Sequence, residues 1–144
     1  MKYKAGSIGR VFLARFEDGD DILDGLADAA RKENIKGAVF HLVGGIKQGK
    51  IVVGPEKESL PPVPVWRNIE ESHELIGTGT IFWEGDDPKI HFHGAFGKRD
   101  DVKVGCLRQG SETFLVLEAV IFEINDIGAK REFDKASGLT LLKL

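Results

Sequence analysis

Helical spacing occurs in only one stretch of this chain, and that restricts the fold more than any other feature. Ile22, Leu23, Leu26, Ala29 and Ala30 recur at the three-to-four-residue interval of an amphipathic helix. Asp18, Asp20 and Asp21 precede them with side chains suited to a cap and a first turn, Arg31 and Lys32 follow near the other end, and Gly37 is a natural stop. Nearly everything else reads at the two-residue period of a strand. Arg10–Phe16 alternates before the turn signal Asp18-Gly19-Asp20, and Ala38–Gly45 and Lys50–Gly54 flank an expected turn at Gln48-Gly49. Glu74–Trp83 and Lys89–Phe96 form a hairpin whose turn centres on Asp86. A second turn, Lys98–Asp101, leads to Val102–Leu107, and Gln109-Gly110-Ser111 is expected to turn the chain into Thr113–Ile124. An alternating end strand closes the tail at Leu139–Leu142. One main helix among seven or eight strands predicts an α+β fold built on a mainly antiparallel sheet. The length of 144 residues suits a single domain, 1–144.

Composition narrows the function classes. With 42% hydrophobic and 30% charged residues the chain is globular rather than disordered. No apolar run approaches the ~20 residues of a membrane-spanning helix, and Met1-Lys2-Tyr3-Lys4 is not followed by the apolar stretch of a signal peptide, so a cytoplasmic protein without a membrane partner is expected. A net charge of −3 supplies no general attraction for a phosphate backbone. Gly-x-Ser-x-Gly, His-Glu-x-x-His and Cys-x-x-Cys are absent, and Gly44-Gly45 and Gly77-Thr78-Gly79 lack the lysine and helix start of a phosphate loop, which makes them bends. Four of the five prolines fall between Pro55 and Arg67, in a segment expected to run over the surface as a flap or a subunit contact.

The sharpest chemical feature is His91-Phe92-His93. Two histidines one residue apart on a strand project to the same face, roughly 6–7 Å apart along the chain, close enough for both rings to converge on one ion. A turn centred between Arg99 and Asp100 places the only cysteine, Cys106, opposite His93 on that face. Two imidazoles and a thiolate suit Zn²⁺ and leave one position for water or a substrate, whereas Ca²⁺ and Mg²⁺ prefer oxygen. Histidines at this spacing also occur as polar positions on a solvated face, and a lone cysteine as a small core residue, so spacing leaves both readings open. With the preceding turn centred on Asp86, His73 shares the face of His91 and His93 but lies roughly 20 Å away, reaching them only through a bulge or another subunit. His41, inside an apolar strand, reads as a hydrogen-bonded core or interface histidine. Glu118, between apolar runs, is either a carboxylate that orients a metal-bound histidine or acts as a general base, or a solvent-facing edge residue.

The order of these pieces resembles the plant and prokaryote conserved (PPC) domain, the module that in land plants follows an AT-hook. The marks are the Arg10–Phe16 strand with its acidic helix, Val43-Gly44-Gly45-Ile46, Gly54, Glu74–Ile81, His91-Phe92-His93-Gly94, and Val104-Gly105-Cys106-Leu107 leading into Glu118. They span nearly the whole chain. Relatives often read His-x-His followed by Gly-Gly-His-Leu; here Cys106 stands where the last histidine would be, and Gly105 keeps the second glycine. The resemblance implies a metal site with His91, His93 and Cys106 as ligands, zinc as the expected ion, and assembly as a homotrimer. No Arg-Gly-Arg-Pro hook is present, so direct DNA binding is not expected, and a DNA role would pass through partners or a patch of Lys47, Lys50, Arg67, Lys98, Arg99 and Arg108 at subunit junctions. Two functions follow: a homotrimeric metal-binding module of assembly or regulatory type, or, as the alternative, a small zinc-dependent enzyme in which a metal-activated water works with Glu118 or a neighbouring carboxylate.

Overall fold

In the computed structural model, which describes residues 1–144, every strand pairing is antiparallel. The order is β1 (Ser7–Glu17), α1 (Ile22–Lys32), β2 (Gly37–Pro55), β3 (Pro64–Ile69), β4 (His73–Glu84), β5 (Asp87–Lys98), β6 (Asp101–Asn125), β7 (Lys130–Asp134) and β8 (Leu139–Lys143). This is the α+β architecture expected from the single helical segment. The helix forms where predicted: Asp21 caps it by accepting from the Asp24 amide at 3.0 Å, and Ile22, Leu26 and Ala30 reach the core on one stripe.

Two long strands organise the sheet. β2 hydrogen-bonds β6 along most of its length, and on its other edge takes β4 with residues 37–46 and β3 with residues 49–55. β6 in turn carries β5 on its first residues and β1 on its last. Because β4 also pairs with β5, the circuit β2–β4–β5–β6 closes on itself. β7 and β8 form a separate hairpin. Phe40 and Phe92 stack inside the ring at 5.8 Å, and with Phe96, Leu75, Ile81, Leu117 and Ile121 they belong to one apolar cluster. Each fully buried Phe of this kind contributes about 1.5–3 kcal/mol through lost water contact.

Four expectations need correction, each for a physical reason. The chain does not turn at Gln48-Gly49 or at Gln109-Gly110-Ser111; β2 and β6 run through both places, and their mutual register shifts there instead. Residues that favour turns also favour bulges, and Gly110 sits at a φ of 59° that only a bulge or a turn requires. Ser111, expected in a loop, is fully buried and donates to Asp21 Oδ1 at 2.7 Å, tying the start of α1 to β6. Gly77 and Gly79 are not bends but flat positions in β4 under the aromatic stack: a Cβ at Gly79 would meet Phe40 Cζ at 2.3 Å. The end of the proline-rich segment is not a free excursion, since Pro64–Ile69 pairs with β2 as an edge strand, the one place in a sheet where proline costs no ladder bond.

Gly79→Ala is accordingly expected to lower stability by about 1–3 kcal/mol through overpacking. Gly97→Ala, where the nearest atom would lie 3.9 Å away, is expected to change it little. Urea denaturation of both variants checks the contrast. The outer end of β1 supplies a pH test. Arg10 Nε donates to Glu123 Oε2 at 2.8 Å, and that hydrogen bond, aided by the Arg10 amide, pulls the Glu123 carboxyl from the usual 4.5 to about 2. A carboxylate depressed by folding stabilises the native state above its unfolded pKa and loses that contribution as pH falls through the folded one. The difference in Tm between the wild type and Glu123→Gln should therefore be constant above pH 5 and shrink between about 4.5 and 2.

Candidate metal centre

β5 alternates sharply. Phe92, Gly94 and Phe96 face the interior of the ring, leaving His91 and His93 on its outer face. The two-residue turn at Arg99-Asp100 pairs Lys98 with Asp101, and counting back along the ladder puts Cys106 directly opposite His93. On β6 the cysteine alternates with the buried Gly105 and Leu107, whose side of the strand belongs to the core, so its sulfur emerges on the histidine side while remaining buried.

The side chains converge. The Nε2 atoms of His91 and His93 lie 3.1 Å apart, with the rings edge to face at 4.9 Å, and the nitrogen and sulfur donors of His91, His93 and Cys106 all fall within 4.8 Å of one another. Donors in a tetrahedral zinc shell stand roughly 3.3–3.6 Å apart, given bonds of about 2.0–2.3 Å. The separations are close to that spacing, and the donor set of two imidazole nitrogens and one sulfur fits a borderline-soft divalent cation. Burial, and after it the positive charges of Arg131, His93 and Arg108, push His91 down to about 4, which keeps its imidazole neutral and able to ligate at physiological pH. Burial raises the Cys106 thiol against the opposing pull of Arg108, so a cation binding there displaces a proton from sulfur.

Other sequence candidates lie elsewhere. The hairpin turn is Gly85-Asp86, pairing Glu84 with Asp87, so Thr78 and Thr80 oppose His93 and His91 where Gly79 and Ile81 were expected. A one-residue slip exchanges the faces of a strand. His73 thus falls on the opposite face from the cluster, paired with Ile46 and with its Nδ1 2.5 Å from the Glu71 carbonyl oxygen. His41 is exposed, not a core residue, and its ring meets the edge of Phe122 at 6.2 Å. Glu118 is a solvated carboxylate on the outer face, flanked across the ladders by Arg15 and Val43.

Sequence reading missed the cluster's basic neighbours and its cavity. Arg131 of β7 packs over β4, donating from Nη2 to Thr80 Oγ1 at 3.2 Å, and Thr80 is the cross-strand partner of His91. A cavity of about 560 Å³ opens beside His93 and Cys106, walled by Val52, Trp66, Val104 and Leu139 together with Arg108. Proline composition had marked the segment that contributes part of this wall, but nothing local connects it to Cys106.

Residues 3–125 match the Plants and Prokaryotes Conserved domain. The chain belongs to that family. Its fold is also close to solved structures: the metal-containing protein of Archaeoglobus fulgidus, at 22% identity and a TM-score of 0.87 with 100% of both chains covered, and a plant- and prokaryote-conserved protein of Pyrococcus horikoshii, at 26% identity and a TM-score of 0.84 over 100% of this chain and 98% of that one. A Ralstonia eutropha protein provisionally described as DNA-binding shares 22% identity over 92% of this chain and 90% of that one, with a TM-score of 0.77. Among curated proteins none matches. In the PPC-domain chain described here no helix is long and apolar enough to cross a membrane.

Burial as the main cause of the His91 shift makes a direct expectation. In the metal-free protein, NMR-monitored titration should place the His91 midpoint near 4. A midpoint at 6.5, the ordinary value, would mean that the ring is solvated.

Proposed function

We propose that this PPC-domain protein is a homotrimeric metal-binding module of assembly or regulatory type that holds one zinc ion per chain through His91, His93 and Cys106. The observation that carries the reading is the convergence of two imidazoles and a buried thiol within 4.8 Å on one sheet face. The similar fold of the metal-containing protein of Archaeoglobus fulgidus supports it. Such an ion, held by these residues, would supply Lewis-acid chemistry. Within the chain His93 and Cys106 line the cavity, while the β5 and β6 backbones hold the donors in place.

Three copies are favoured by the outer face of the sheet, where Val11, Leu13, Val43 and Ile76 stand exposed. Apolar side chains gathered on one face mark an association surface. The enzyme reading has one observation in its favour, the cavity beside the donors, and lacks its proton-transfer partner: no Asp or Glu lines that cavity, and Glu118 lies between Arg15 and Val43. A DNA role runs through partners: the net charge is −3, and within the basic patch Lys47 is paired with Glu112 and Lys98 with Glu71. Ordinary non-specific contacts depend on clustered, unpaired cations.

Elemental analysis with an absorption-edge scan should find about one zinc per chain after reconstitution. His91→Ala and His93→Ala should abolish retention and Cys106→Ser weaken it, since a hydroxyl replaces thiolate poorly. Undiminished retention in all three variants would place the ligands elsewhere. Light scattering should give about 47 kDa, three times the 15.8 kDa chain; a 15.8 kDa particle at micromolar concentration rejects the trimer.

A further inference from the structure

The surroundings of the His91–His93–Cys106 cluster are electrostatically one-sided. Arg108 lines the cavity and makes neither an ion pair nor a hydrogen bond, although Arg10, Arg15 and Arg31 are all paired with carboxylates. Arg131 is only 9% exposed, its single hydrogen bond goes to the neutral Thr80 hydroxyl, and its Nε is buried with no acceptor. The two guanidiniums act on each other and on the cluster: burial, and then the charge of Arg108, holds Arg131 below the usual arginine range. No carboxylate is among the groups that act on His91, Cys106 or Arg131.

A buried guanidinium without a carboxylate partner carries a desolvation cost that in this chain only the Cys106 sulfur opposes. A divalent cation held by two neutral imidazoles and one thiolate would add a further net positive charge. No carboxylate of the chain supplies a counter-charge here, which leaves room for one from a ligand. The cavity also specifies the rest of such a ligand. Val52, Pro62, Pro64, Trp66, Val104 and Leu139 present aliphatic and indole surface, and about 560 Å³ lies within the range of small-molecule sites. Trp66 is 43% exposed on the edge strand β3, an indole face with no residue stacked on it in the aromatic pairs of this protein.

We propose that the cavity binds a small carboxylate with an apolar or aromatic body, its carboxylate held by Arg108 beside His93 and Cys106, its body against Trp66, and the nearby charge of Arg131 adding to the attraction. Proximity to a metal rests on the reading above; the two guanidiniums and the apolar wall do not. Binding of such an acid would supply the carboxylate that Arg108 lacks and connect β6, β3 and, through Leu139, the β7–β8 hairpin by one molecule.

The test is calorimetric titration of phenylacetate, phenylacetamide and inorganic phosphate into zinc-reconstituted and chelator-treated protein. Phenylacetate should saturate at one per chain and bind at least about tenfold more tightly than either comparison compound, the worth of one or two charge-assisted hydrogen bonds. Arg108→Met should weaken phenylacetate by about tenfold or more. Since Arg108 is an exposed side chain, this variant folds, and Trp66→Ala should reduce the preference for phenylacetate over phosphate. Equal binding of the amide, phosphate binding as tightly as phenylacetate, or full affinity in Arg108→Met overturns the proposal. Failure to take up zinc removes the metal reading alone, because arginine-dependent binding of phenylacetate to the chelator-treated protein still decides this one.

Discussion

The structure depends on β6 making ladder hydrogen bonds along both of its edges. Residues 101–106 pair with β5 on one side, residues 106–123 with β2 on the other, and the C-terminal part takes β1. Cys106 stands where two of these ladders meet, opposite both His93 and Val52. Closing the ring therefore does two things at once. It leaves no unpaired edge between β5 and β2, and it holds the thiol at a fixed height across from the second histidine. A strand constrained on both sides cannot slide, and a site built on it inherits that rigidity.

The interior and the outer face of this sheet answer different demands. Inside, Gly77 and Gly79 give up side chains so that Phe40 and Phe92 can stack against the backbone of β4. Outside, the same alternation that sends Phe92 inward turns His91 and His93 toward β7 and the cavity. Aromatic packing thereby determines which face carries polar chemistry, because Phe92 cannot leave the core without exchanging places with its histidine neighbours. Around the donors the charge balance is positive: Arg108 and Arg131 are present and carboxylates are not, in contrast to the acid-rich ends of α1 and of β4. That imbalance suits the capture of an anion better than the transfer of protons.

Much of this was legible along the chain. The helix was visible because its apolar period and its aspartate cap are local, and the His91–His93–Cys106 face was visible because a two-residue turn at Arg99-Asp100 makes the pairing a matter of counting. The same counting failed for β4 and β5, where the turn lies at Gly85-Asp86, half a residue from the expected centre, enough to move His73 to the other face. Gln48-Gly49 and Gln109-Gly110-Ser111 misled because glycine-rich polar steps suit bulges as well as turns, and the choice between them is made by the partner strand.

The sequence by itself determined the α+β class, the strand identity of most segments and the shared face of two histidines and a cysteine, since each rests on periods and turns only a few residues long. Tertiary structure alone decided the closure of β2, β4, β5 and β6 into a ring, the placement of the proline-rich edge strand beside Cys106, and the return of Arg131 over Thr80 to a position next to His91. These contacts join residues far apart in the chain. Their geometry follows from how twisted strands pack around the Phe40–Phe92 core, and no local pattern of residue types encodes that distance.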